Sequence, residues 1–136
     1  MRRRSNALIV ALAALFVVAG AIHLVRPKLY LPIMPPALPC KPELILVSGV
    51  AEIAGGIGLL VPRVRRAAAW GLMALLVAVF PANIQMALNG FASGASLLVR
   101  ALLLLRLPLQ PALLWLVYRA GTAAGAGRLS AAEQAR

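Results

Sequence analysis

The stretch Glu43–Pro62, ELILVSGVAEIAGGIGLLVP, constrains the fold of this chain more than any other. As a helix, the apolar run from Leu44 to Val61 extends about 27 Å at 1.5 Å per residue, close to the thickness of a bilayer core. A plain membrane span needs no charge, yet Glu52 stands near its middle. A mid-membrane carboxylate costs roughly 3 kcal/mol on insertion scales, so such residues face a bundle interior and find a partner. Ser48, Gly49, Gly55 and Gly56 lie three or four positions from Glu52 and give its face a smooth stripe on which a neighbouring helix can come close.

The rest of the chain agrees with a membrane setting. Of its 136 residues, 62% are hydrophobic and only 12% charged, too little polar surface to cover a soluble globule. The net charge of +11 does not indicate nucleic acid, because the cations cluster at segment ends and leave no soluble basic face. Cys40 is the only cysteine, which excludes an internal disulfide and a CxxC centre.

Four spans are expected. The first is Ala7–Val25, preceded by Arg2, Arg3 and Arg4. With small residues at Ala19-Gly20-Ala21 it also matches a signal peptide, but it is long for one and is read as a retained helix. Pro27, Pro32, Pro35, Pro36, Pro39 and Pro42 make 25–42 a stiff connector, with Tyr30, Pro35 and Pro36 as candidate lid residues. Helix two ends at Pro62, and the Arg63–Arg66 turn leads into helix three, Ala67 to about Ala87. Pro81 should kink that helix by removing the bond to the carbonyl of Val77, which Asn83 is placed to satisfy. Asn89-Gly90 and Ser93-Gly94 mark a loop over 88–95, and helix four follows from about Ser96 to Tyr118. The expected fold is therefore an all-α four-helix transmembrane bundle over 1–120, with 121–136 a flexible tail.

An even number of spans puts both termini on one side. That side, with the turn between helices two and three, holds nine cations: Arg2, Arg3, Arg4, Arg63, Arg65, Arg66, Arg119, Arg128 and Arg136. The other holds four, Arg26, Lys28, Lys41 and Arg100. The positive-inside rule then places both termini in the cytoplasm and the Pro-rich connector outside.

Depth follows from topology. Glu52 lies about 12 Å, and Arg106 about 15 Å, from the outer ends of their helices, so acid and base share a level and are expected to pair. His23, Asn83 and Gln85 fall nearer the outer ends. With Ser48 and Gln110 these residues outline a candidate polar pocket opening outward beneath the connector. The competing reading is that they are interhelical hydrogen bonds that hold a small bundle together. His23 is the candidate proton carrier because histidine changes charge near neutral pH, although a histidine at a helix end also serves as an interfacial hydrogen-bonding group. His23 and Glu52 alone do not specify a metal site, and no cofactor fingerprint is present.

The order Gly20-x-x-His23, Pro27-x-x-Tyr30, Pro35-Pro36-x-Leu38-Pro39, Ser48-Gly49-x-x-Glu52-x-x-x-Gly56 and Leu59-Leu60-x-Pro62 resembles the small DoxX-like membrane proteins. Phe80-Pro81-x-Asn83-Ile84-x-Met86 and Arg106-x-Pro108-x-Gln110 continue the likeness, which covers most of Gly20–Trp115. The resemblance implies a four-helix bacterial inner-membrane protein, with relatives that include a subunit of thiosulfate:quinone oxidoreductase. Leu24 stands where similar sequences often carry an aromatic residue, and the paired cysteines of some redox-linked relatives are absent. Thiol-based electron transfer is therefore not expected.

Two function classes fit. One is a redox-linked membrane component that binds a quinone or another small apolar molecule, with Glu52 and His23 moving protons. The other is a non-catalytic scaffold or assembly partner, working with another subunit or as a homo-oligomer. A transporter fits less well, because four helices without an internal repeat make alternating access hard.

Overall fold

The computed structural model describes residues 2–122, with side chains from Asn6 onward. The remaining tail, expected from the sequence to be flexible, lies outside the described residues. Four long helices dominate: α1 (Arg2–Val25), α2 (Lys41–Leu60), α3 (Arg65–Ala92) and α4 (Leu97–Thr122). Each is long and apolar enough to cross a membrane. Their exposed faces are apolar too: Leu97 is 84% and Leu98 70% exposed, as suits a surface solvated by lipid rather than water. The chain is an all-α helical-bundle membrane protein.

The connector between α1 and α2 is built from two short 3₁₀ turns, Pro27–Leu29 and Leu31–Ile33. Each has a proline in its first positions, where the missing N–H leaves no hydrogen bond unmade. Cys40, at φ 49° in the left-handed region, turns the chain into α2, and Pro42 and Glu43 occupy the first turn of that helix. At the other end of α2, the Nε of Arg65 donates to the Leu59 carbonyl at 2.6 Å and closes the helix before the short turn into α3.

Two of the boundaries that differ from the sequence reading have a cause in the packing. The stretch 88–95, expected as a loop, is helical through Ala92, and Ser93–Ser96 alone connect α3 to α4. Asn89-Gly90 is tolerated inside α3 because Gly90 is buried against the Leu103 side chain, where a Cβ would collide. Close packing of two helices outweighs the intrinsic turn preference of that dipeptide. Likewise α4 continues to Thr122, since Gly121 seats the helix against Ala69.

The helices pack as two pairs. Gly20 and Gly49 bring α1 and α2 into backbone contact, and Gly56 rests on the Ala13 carbonyl one helical repeat away. In the second pair, α3 meets α4 at Gly90 with Leu103 and again at Ala69 with Gly121. The pairs join at the end where α1 begins and α4 finishes. There Ile9, Leu12 and Phe16 of α1, Leu59 of α2, Ala69, Leu72 and Leu76 of α3, and Val117 and Ala120 of α4 form one buried core. Gly55 against Leu72 and Gly58 against Ala68 close α2 onto α3 at that same end. Towards the connector no such core continues among the described residues, and the space between the pairs is a cavity.

Candidate functional site

The cavity has a volume of about 630 Å³ and lies between the two helix pairs, above the buried core. Its walls are mostly aliphatic, with a few polar side chains that converge from every helix and from the connector. Both the size and this balance are those of a small-molecule site.

Glu52 is one of two buried polar side chains of the cavity wall, 8% exposed. Its Oε2 lies 3.1 Å from the Nδ1 of His23 across the α1–α2 seam. Glu52 sits between Gly49 and Gly56 on the α2 face turned to α1, and the absence of side chains at Gly20 and Gly49 lets the helices approach closely enough for this contact. A Cβ on Gly49 would stand only 2.7 Å from the Cβ of His23. The expected pairing of Glu52 with Arg106 is therefore corrected: the two residues border the same cavity, but His23 is the carboxylate's partner. Equal depth along two axes says nothing about rotation about them, and the glycine seam turns Glu52 to α1 rather than α4.

Tyr30, from the connector, covers the imidazole with ring centroids 3.8 Å apart and planes tilted by 46°. Burial pushes the Tyr30 phenol above its ordinary pKa, the Glu52 carboxylate adds to that, and Arg106 pulls the other way. The phenol is thus a hydrogen-bond donor at neutral pH, at the roof of the cavity.

A second polar group spans the α3–α4 pair. Asn83 donates to the Gln110 side-chain oxygen, and the Gln110 amide donates to the Leu76 carbonyl. Gln110 is buried, so both ends of its amide are satisfied. The expectation that Asn83 would serve the Val77 carbonyl freed by Pro81 is corrected here. A side chain from the neighbouring helix enters α3 one turn before the proline, and Asn83 holds that side chain in place.

The remaining candidates separate. Ser48 lines the cavity, with its hydroxyl donating to the Ile45 carbonyl at 2.8 Å. Arg106 lines it from α4 and makes no hydrogen bond, ion pair or stacking contact among the described residues. Gln85 does not line the cavity: its Nε2 donates along α3 to the Asn89 Oδ1 at 2.8 Å. Pro35 and Pro36 are not part of the roof, which is formed by Tyr30, Ile33, Met34 and Leu38.

Asn89 is a connector contact that the sequence alone places in a loop. From the far end of α3 its Nδ2 donates to the Pro32 carbonyl at 2.6 Å and ties the roof to the second helix pair. Its i+4 spacing from Gln85 is the available signal, but it carries meaning only once α3 is known to reach Ala92.

Chemically, the site offers a carboxylate–imidazole pair in an apolar wall. With Nδ1 committed to Glu52, Nε2 is the imidazole nitrogen left to meet a ligand or pass a proton. Among the described residues no three His, Cys, Asp or Glu side chains gather closely enough to hold a metal ion.

A family model described as a domain of unknown function (DUF8561) matches residues 12–120, so the chain belongs to that family. The match takes in the connector, all of α2 and α3, and most of α1 and α4. No curated protein and no solved structure matches the chain.

Proposed function

We propose that this member of the DUF8561 family is a DoxX-like inner-membrane protein of bacteria. In this reading its cavity binds a small, mainly apolar molecule, with quinones the leading class. The observation that carries the proposal is the His23–Glu52 pair set in the wall of an otherwise aliphatic cavity of about 630 Å³. A quinone ring suits aliphatic walls, its carbonyl oxygens accept hydrogen bonds of the kind His23 and Tyr30 can donate, and its redox chemistry requires protons to move. Glu52 fixes the imidazole, and His23 exchanges the proton with the ligand.

Orientation belongs to the same proposal. The distribution of Lys and Arg supports an orientation with both termini in the cytoplasm and the connector outside. A reporter active only outside the cytoplasm should be silent when fused after Arg136 and active when inserted near Pro36; the reverse pattern would refute the orientation.

Ligand binding is tested by thermal unfolding of the detergent-purified protein with a short-chain ubiquinone. The midpoint should rise with concentration, as it does for any ligand that binds only the folded state, and the rise should shrink in His23→Phe. No shift at millimolar quinone would count against the quinone assignment.

The alternative, a non-catalytic scaffold or assembly partner for another subunit or a second copy, draws on the α4 surface, which is the least buried of the four spans. Lipid satisfies that surface as well as protein does, so the converging polar groups weigh more.

A further inference from the structure

We infer that the cavity accepts an amphiphile with an oxyanion head group, a carboxylate foremost, whose charge is met by Arg106. The inference rests on the reading of the cavity as a ligand site and specifies the ligand's chemistry.

Arg106 stands inside the otherwise apolar run Ala101–Leu109 of α4, about 13 Å along the helix from Leu97. A guanidinium at that depth is costly and ordinarily pairs with a carboxylate or with backbone carbonyls. Among the described residues no such partner is supplied. The full sequence has three acidic residues, of which Glu43 and Glu52 lie among the described ones. Glu52 is held by His23, and Glu43 is exposed in the first turn of α2 and is not part of the cavity wall. Arg106 nonetheless lines the cavity and has no hydrogen-bond or ion-pair partner among the described residues. It is also dispensable for packing, being exposed rather than part of the buried core.

The other cavity groups favour an anion at this position. The His23–Glu52 pair keeps the Glu52 charge engaged on the opposite helix pair, and Tyr30 brings a protonated phenol to the roof. Ile33, Met34, Leu44, Leu75 and Leu109 supply the aliphatic surface for an acyl chain or ring. A planar guanidinium recognises carboxylate and phosphate oxygens through paired N–H donors, so the head group is an oxyanion and the body is apolar.

The test uses the full-length protein in nanodiscs of zwitterionic phosphatidylcholine at pH 8, with native mass spectrometry and thermal unfolding as readouts. Oleate, oleyl alcohol, lauryl phosphate and a short-chain ubiquinone are titrated into the wild type, Arg106→Gln and Arg106→Lys. Comparing proteins at constant lipid holds each ligand's partition fixed, and oleate and the alcohol are compared at equal mole fraction in the bilayer. The wild type should bind oleate more tightly than the alcohol, Arg106→Gln should lower oleate affinity by roughly tenfold to a hundredfold, and Arg106→Lys should keep much of it. Alcohol binding should be the same in all three. A phosphate preferred over the carboxylate would identify a phosphate-headed lipid as the source of the oxyanion and would support the inference.

Equal binding of oleate and alcohol, or an Arg106→Gln protein that binds oleate as the wild type does, overturns it. If the quinone alone binds, the oxyanion inference fails while the ligand-site reading stands; if nothing binds, both fail. The unliganded unfolding midpoint of each variant, expected to match the wild type, shows that the fold is intact.

Discussion

Glu52 and His23 illustrate how a single contact can make a carboxylate tolerable in the middle of a span. The carboxylate is 8% exposed and has one protein partner, so removing that partner leaves a charge with nothing to offset its desolvation. His23→Phe, which keeps the ring against Tyr30 but removes Nδ1, should destabilise the protein by about 1.5–3 kcal/mol, the range for a hydrogen bond to a charged group. Glu52→Gln should cost less, because an amide still meets the imidazole and carries no charge. Adding Glu52→Gln to His23→Phe should then recover part of the loss in thermal unfolding; strictly additive effects would show that the two side chains are not coupled. Tyr30 gives a pH signature of the same site. Its folded-state pKa is raised, so its contribution to stability is complete below its unfolded value and is lost as pH rises through the higher folded value. Ultraviolet titration of its phenolate, taken as the difference from Tyr30→Phe, should move down in Glu52→Gln and up in Arg106→Gln. Shifts of the opposite sign would mean that Tyr30 does not face these charges.

At the scale of elements, glycines decide which helices touch. Gly20, Gly49 and Gly56 make the α1–α2 seam, and a Cβ at Gly49 would meet the Gly20 carbonyl at 2.9 Å as well as His23. Gly49→Ala should therefore separate the helices, cost about 1–3 kcal/mol as an overpacked substitution, and weaken ligand binding by moving His23 from Glu52. Gly71→Ala is the control, since nothing lies within 4 Å of a Cβ there and alanine suits a helix better. Equal effects at the two positions would refute the seam. The same residues show what is legible in the sequence. Hydropathy and charge identify four spans, and the small residues around Glu52 announce a close neighbour. They do not say which neighbour, because an apolar helix lipid-exposed along one side and packed along another carries no polar face from which rotation can be read. Hence the sequence points to Arg106 opposite Glu52 where His23 stands. Gly90 misleads for a related reason: a glycine that admits Leu103 and a glycine that ends a helix look alike until the partner helix is in place.

For the whole molecule, the division of labour runs along the helix axes. One end is filled by Ile9, Leu12, Phe16, Leu59, Leu72, Leu76 and Val117, and the other is held apart by the connector, with Tyr30 on His23 and Asn89 on the Pro32 carbonyl. A closed core can hold the two helix pairs together while the space above it remains available to a ligand, and the aliphatic walls with convergent polar groups fit a molecule drawn from the membrane. The most direct measurement of that claim is mass spectrometry of small molecules extracted from the protein after purification from its native membrane, compared with Ala82→Phe. Ala82 lines the cavity from α3, and a phenyl ring there occupies the space a ligand would use. The account predicts a stoichiometric small amphiphile or quinone in the wild type, its loss from a folded Ala82→Phe protein, and its reduction in His23→Phe. The same bulk-lipid profile from wild type and Ala82→Phe, with no enriched species in either, would contradict it.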